Sequence, residues 1–184
     1  MLKTKMLAVI VNGRGGVGKD TLVDDVICHS DRHTQAVKYS SINDVKKLAG
    51  LAGWKGGKTD KDRKFLSDLK CLLSEYNNLP YNSCVQSYRM ARMRTFKIWF
   101  CMVREPDEID KLKNYIVGEG GGCATLLIRR EGVHDGAFGN VADDGVEDYF
   151  YDYIFDNDGT IDTSKYLFRR LVEKMYKEVV ESAE

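Results

Sequence analysis

The stretch from Met6 to Cys28, MLAVIVNGRGGVGKDTLVDDVIC, constrains the fold of this chain more than any other. Met6 to Val11 is an uninterrupted apolar run, the pattern of a strand buried on both faces. Asn12 and Gly13 stop it, and Gly13-Arg14-Gly15-Gly16-Val17-Gly18 forms a glycine-rich turn. After Lys19-Asp20-Thr21, the residues Leu22, Val23, Val26 and Ile27 recur at helical spacing, which assigns Asp24 and Asp25 to the opposite, polar side.

Strand, loop and helix with G-x-x-x-x-G-K at the joint is the context a P-loop requires. Glycines let successive backbone N–H groups curl around a phosphate, and the helix N-terminus adds partial positive charge. Lys19 brings a point charge to the outer phosphates of a nucleotide. The expected donor site is therefore Gly13, Arg14, Gly15, Gly16, Val17, Gly18, Lys19, Asp20 and Thr21, with ATP and Mg²⁺ as cofactors. A hydroxyl normally follows the lysine and ligates the metal. Here Asp20 stands in that place and the hydroxyl comes one residue later, at Thr21. Asp20, directly or through water, is expected to share in holding Mg²⁺.

The rest of the chain alternates short apolar runs with helical patterns. Ala36 to Ser40 reads as a second strand, and Ser41 as the cap of a helix carrying Val45, Leu48 and Ala49. Gly53 to Lys58 is a loop. From Thr59-Asp60 the apolar positions Phe65, Leu66, Leu69, Leu72, Leu73 and Tyr76 share one helical face, which predicts burial of that face. Asn77-Asn78-Leu79-Pro80 ends this helix, and another runs from about Asn82 to Arg94. Its Arg89, Arg92 and Arg94 read as a solvated face. Phe96 to Val103 is a strong strand, and Pro106 suits the first turn of the helix after it. Ala124 to Ile128 is a further strand, ending at Arg129-Arg130.

Glu131 to Tyr151 has no period and many turn residues, as expected of a mobile lid. Tyr153 to Phe155 is the last strand, closed by Asp156-Asn157-Asp158-Gly159, and an amphipathic helix follows it. The pattern predicts an α/β fold: a five-stranded parallel sheet with helices on both faces, in one domain. An acceptor-binding helical insert is expected at about 41–94 and the lid at about 131–151. Ligands in such sheets bind at the carboxyl ends of the strands. The polar marks gather there: the Gly13 to Thr21 loop, Ser40-Ser41, Arg104, Arg129-Arg130 and Asn157-Asp158.

Composition narrows the partners. Lys+Arg and Asp+Glu both total 28, so the formal net charge is zero, which argues against a nucleic-acid or membrane-surface binder. The five cysteines form no C-x-x-C pair, and His29, His33 and His134 lack metal-ligand spacing. No segment has the length of a membrane span. A reduced, soluble, cytoplasmic protein is expected.

With these residues in place, the sequence resembles the P-loop nucleoside monophosphate kinase group, and bacteriophage-type deoxynucleoside monophosphate kinases in particular. Gly18-Lys19-Asp20-Thr21 is similar to the G-K-D-T loop of that branch. Arg63-Lys64-Phe65-Leu66 resembles its helical acceptor-site motif, and Val103-Arg104-Glu105 the end of its D-V-R strand. Tyr151 to Thr160 resembles its last strand and base-side loop. Met102 stands where that strand carries an aspartate.

The resemblance implies phosphoryl transfer from ATP to a monophosphate-bearing acceptor. It gives the donor phosphates to Lys19 and the loop amides, the base side to Asn157, and the acceptor phosphate to Arg63 and Arg104 beside Ser41. Arg129 or Arg130 would neutralise the moving phosphoryl group. The implied partners are a nucleotide donor and a monophosphate acceptor.

Overall fold

The apolar run becomes β1 (Leu7–Asn12), all six of whose residues are buried. The computed structural model describes residues 6–30, 35–132 and 146–181. Residues 133–145, most of the expected lid with His134, and residues 31–34 with His33 lie outside the described residues. The other strands are β2 (Ala36–Ser40), β3 (Ile98–Met102), β4 (Gly122–Arg129) and β5 (Tyr153–Asp156). Their order is β2-β3-β1-β4-β5, and every neighbouring pair is parallel. β1 is therefore the central strand, with β3 and β4 on its two sides. The expected five-stranded parallel sheet is present.

Parallel strands need crossover helices, and these cover both faces. On one face Leu7, Val9, Val11, Phe100 and Leu126 pack against Leu22 and Val23 of α1 (Lys19–His29) and Phe168 and Val172 of α6 (Ile161–Tyr176). On the other, Ala8, Ile10, Trp99 and Leu127 meet α4 (Leu79–Met93) and α5 (Pro106–Gly118) through Tyr88, Ile109 and Leu112. Each fully buried aliphatic side chain contributes about 1.5–3 kcal/mol, so these two layers supply most of the fold's stability. A π-helical turn, Lys177–Glu181, extends α6.

Four details differ from the sequence reading. Asp25, expected on the solvent side of α1, is buried beneath α6, where Arg169 and Lys165 neutralise it. α4 begins directly after Asn78, whose left-handed φ of 54° reverses the chain, so Pro80 opens a helix as well as ending one. Arg89 and Arg92 of α4 are spent on α5 and its end: Arg89 donates to the Tyr115 hydroxyl at 2.6 Å and Arg92 to the Glu119 carbonyl. The fourth difference concerns α3 (Asp60–Asn77). It forms as expected behind a Thr59–Asp62 capping box, yet none of its residues is buried. Leu72 is 61% and Tyr76 82% exposed. The physical reason is its place in the chain: α3 packs on α2 (Asn43–Leu51) and α4 rather than on the sheet.

Candidate active site

The glycine loop leaves β1 at the carboxyl edge of the sheet. Gly13 is required there twice over. Its φ is +145°, and a Cβ would stand 2.3 Å from the Ile128 carbonyl oxygen of β4. Gly16 and Gly18 are also left-handed, at φ +86° and +90°, and space is open beside Gly16. Left-handed φ at alternate residues is the backbone pattern of an anion-binding concavity. Lys19 folds over the loop, donating to the carbonyls of Gly13 at 2.5 Å and Arg14 at 2.6 Å. The ammonium thus already stands at the mouth of the cradle.

Two buried asparagines brace this loop. Asn12 uses its whole side chain: Oδ1 accepts from the Gly13 amide at 2.8 Å, while Nδ2 donates to the Arg104 carbonyl and the Tyr151 hydroxyl. Tyr151 in turn donates to the Val146 carbonyl at 2.8 Å. The β1 terminus, the β3 terminus and the returning limb 146–151 are therefore locked by one group. From the other side Asn157 donates through Nδ2 to the Val17 carbonyl at 2.8 Å, and its own amide bonds the Arg129 carbonyl. Asn157, expected on the nucleotide's base side by resemblance, thereby braces the loop. A Cβ on Gly18 would collide with that same amide.

The remaining site residues fall around the cradle. Arg14 reaches Glu147 of the returning limb at 3.5 Å. Asp20 points outward, its side chain 79% exposed, and pairs with Lys38 of β2, which also holds Asp24. Thr21 is exposed in the first turn of α1. Arg104 follows β3 at the carboxyl edge, one residue beyond Val103, whose amide still bonds Val11. Ser41 is buried at the end of β2 and its amide bonds the Met102 carbonyl. It does not cap α2, whose first residues follow Ile42 without a side-chain cap. Arg63 sits in the first turns of α3 and donates to the Lys58 carbonyl at 3.1 Å. Arg129 is paired with Asp156, its register partner on β5, at 2.7 Å, and Arg130 is exposed.

Two lysines neutralise the acids nearest the β2 and β3 ends. Lys38 between Asp20 and Asp24 keeps its proton more firmly than a free lysine: burial opposes this, but the two carboxylates outweigh it. Lys70 of α3 stands between Glu105 and Glu108, bonding Glu105 closely and Glu108 at 3.2 Å. Burial would raise the Glu105 carboxyl, but the Lys70 ammonium overrides it and holds the group below the usual range. Glu108 moves the other way, raised by burial and by the neighbouring Glu105 charge.

Among the described residues no cluster of three His, Cys, Asp or Glu side chains could hold a metal alone. Mg²⁺ that arrives on nucleotide phosphates needs only one or two protein carboxylates. Asp20 at the start of α1 would meet that smaller demand by turning from Lys38, with which it pairs here. Such an ion would supply positive charge that offsets the phosphates during transfer.

A glycine cradle with its lysine, at the carboxyl end of a central strand in order β2-β3-β1-β4-β5, decides the architecture. The chain has the fold of the P-loop kinases. Two solved structures share it. A protein described as APE1195 aligns with 94% of this chain and 98% of its own, at TM-score 0.53 and 14% identity. A sugar kinase from Janibacter sp. HTCC2649 aligns over 91% of this chain and 95% of its own, at TM-score 0.50 and 14% identity. The APS kinase CysC of Mycobacterium tuberculosis, in a mutant form, aligns over 91% and 97% at TM-score 0.49 and 12% identity. No protein-family model and no curated protein matches the sequence.

Proposed function

We propose that this chain is an ATP-dependent phosphotransferase whose acceptor carries a phosphate, a nucleoside or deoxynucleoside monophosphate being the first candidate. The observation that carries the reading is the Lys19 ammonium drawn over the Gly13 and Arg14 carbonyls in a braced glycine loop. A cradle of amides with a mobile cation at its rim suits the β- and γ-phosphates of a donor nucleotide. Arg104 at the β3 end and Arg63 on α3 supply positive charge on the acceptor side, in line with the motifs that resemble monophosphate kinases. Phosphoryl transfer asks for positioning and charge rather than a covalent nucleophile, and loop, lysine and arginines meet that demand. Mg²⁺ carried by ATP would be held by Asp20.

A second reading has one specific observation in its favour. β3 ends at Met102 and Val103 follows it, so the strand's end carries no aspartate where a metal partner is customary. That favours a nucleotide-binding module acting through a partner rather than by turnover. Coupled ADP release with a panel of nucleoside and deoxynucleoside monophosphates separates the two. Turnover with at least one monophosphate well above background ATP hydrolysis is expected. ATP binding without acceptor-dependent ADP release would instead establish the binding module.

A further inference from the structure

α3 is an 18-residue helix with no buried side chain, resting on α2 and α4. Its polar contacts at Asp62, Lys64 and Cys71 are local: Asp62 closes the capping box with Thr59, Lys64 pairs with Asp68 and Cys71 with Glu75. Lys70 is different. Its side chain is 13% exposed, and its ammonium bonds Glu105 and Glu108, residues 35 and 38 positions away. These two acids flank the start of α5, immediately after β3.

The sequence neighbours of the two ends give this bridge its meaning. Arg63 lies seven residues before Lys70 on the same helix, about 10 Å along the axis at roughly 1.5 Å per residue. Arg104 directly precedes Glu105. The ion pair therefore joins the helix bearing one acceptor-side arginine to the strand end bearing the other. The apolar stripe of α3 is held only by the half-buried Leu66, Leu69 and Leu73, so a partly buried polar tether adds to what fixes the helix on its neighbours. A tether of two acids and one ammonium also keeps net negative charge at that end.

We infer that Lys70 is a positioning residue for the acceptor, fixing Arg63 of α3 relative to Arg104 through its bond to Glu105. The inference rests on the phosphotransferase reading and names how its acceptor site is assembled. Lys70 touches neither substrate in this account. It acts through the geometry of the two arginines.

The test uses the full chain with Lys70→Met, which retains most of the buried stem, and the charge exchange Lys70→Glu with Glu105→Lys. Two readouts are taken: amide hydrogen exchange across residues 60–77, and steady-state kinetics with the best monophosphate of the panel. The expected result for Lys70→Met is exchange at least tenfold faster in α3 with α4 unchanged. Acceptor KM should rise about tenfold, while kcat and the ATP dissociation constant stay within twofold. The charge exchange should recover a substantial part of both effects. Unchanged exchange in α3, or an unchanged acceptor KM despite faster exchange, overturns the inference. A wild-type protein inert toward every monophosphate overturns the functional reading and the acceptor role together. The exchange data distinguish that failure from a failure of the tether.

Discussion

The side-chain amide of Asn12 and the hydroxyl of Tyr151 meet at 2.7 Å in a buried setting, joining residues 139 positions apart. Through that bond the strand that launches the phosphate loop is tied to residues 146–151, which lead into β5. Burial pushes the Tyr151 hydroxyl up to about 12, so it stays protonated and able to donate to Val146 across the working range of pH.

Asn12→Ala would strand the Gly13 amide and the Arg104 carbonyl and leave the Tyr151 hydroxyl with its bond to Val146. Each unsatisfied group costs about 1–3 kcal/mol, so a loss of about twice that is expected. Tyr151→Phe should cost about 1 kcal/mol. The two changes share a partner, so urea denaturation of the double variant should show a coupling of about 0.5–2 kcal/mol. Additive losses would mean that the bond is incidental.

Much of this was legible in the sequence, and the limits have identifiable causes. The apolar run into Gly13 specified β1, the loop and α1, because strand period, glycine conformation and helix spacing all agreed there. Asn12 was visible only as the end of a strand. Its partners lie 92 and 139 residues away, and no local pattern encodes them. Asp25 was misassigned because α1 is covered on two sides, by the sheet and by α6, so a face that looked polar holds a neutralised acid. The α3 stripe looked like core because spacing reports amphipathicity and says nothing about which surface receives it. Asn157 was noticed for its neighbourhood, but its task of holding the Val17 carbonyl follows from register between β4 and β5.

Asp152 provides a pH-dependent prediction. Its carboxylate accepts from the Thr125 amide and hydroxyl and from Lys113, linking β4, α5 and the approach to β5. Burial opposes ionisation, but these donors outweigh it and hold the group below its ordinary value of 3.8. A depressed folded value means the stabilisation is fully present above that ordinary value and disappears as pH falls through the folded one. Asp152→Asn should therefore lower the urea midpoint at pH 7, with the gap to wild type closing steadily below about pH 4. A gap that stays constant from pH 7 to pH 3 would refute the linkage.

Asp20 tests the metal assignment. Its bond to Lys38 is largely exposed and contributes at most about 1 kcal/mol. A role in the helix dipole alone would also be worth about 1 kcal/mol or less. If Asp20 shares in holding Mg²⁺, Asp20→Asn should raise the magnesium concentration for half-maximal turnover severalfold and leave Tm nearly unchanged. A lower Tm with an unaltered magnesium midpoint would assign Asp20 to the helix instead.

The most direct measurement of the central claim is the affinity of ATP for the folded protein before and after Lys19→Ala, read by calorimetry with Mg²⁺ present. The side chain is half-exposed and donates to the loop carbonyls of Gly13 and Arg14, so circular dichroism and Tm should change little. The account predicts tight ATP binding by the wild type and a loss of at least tenfold in the variant, together with loss of acceptor-dependent ADP release. Equal ATP affinity and turnover in wild type and a well-folded Lys19→Ala protein would contradict it.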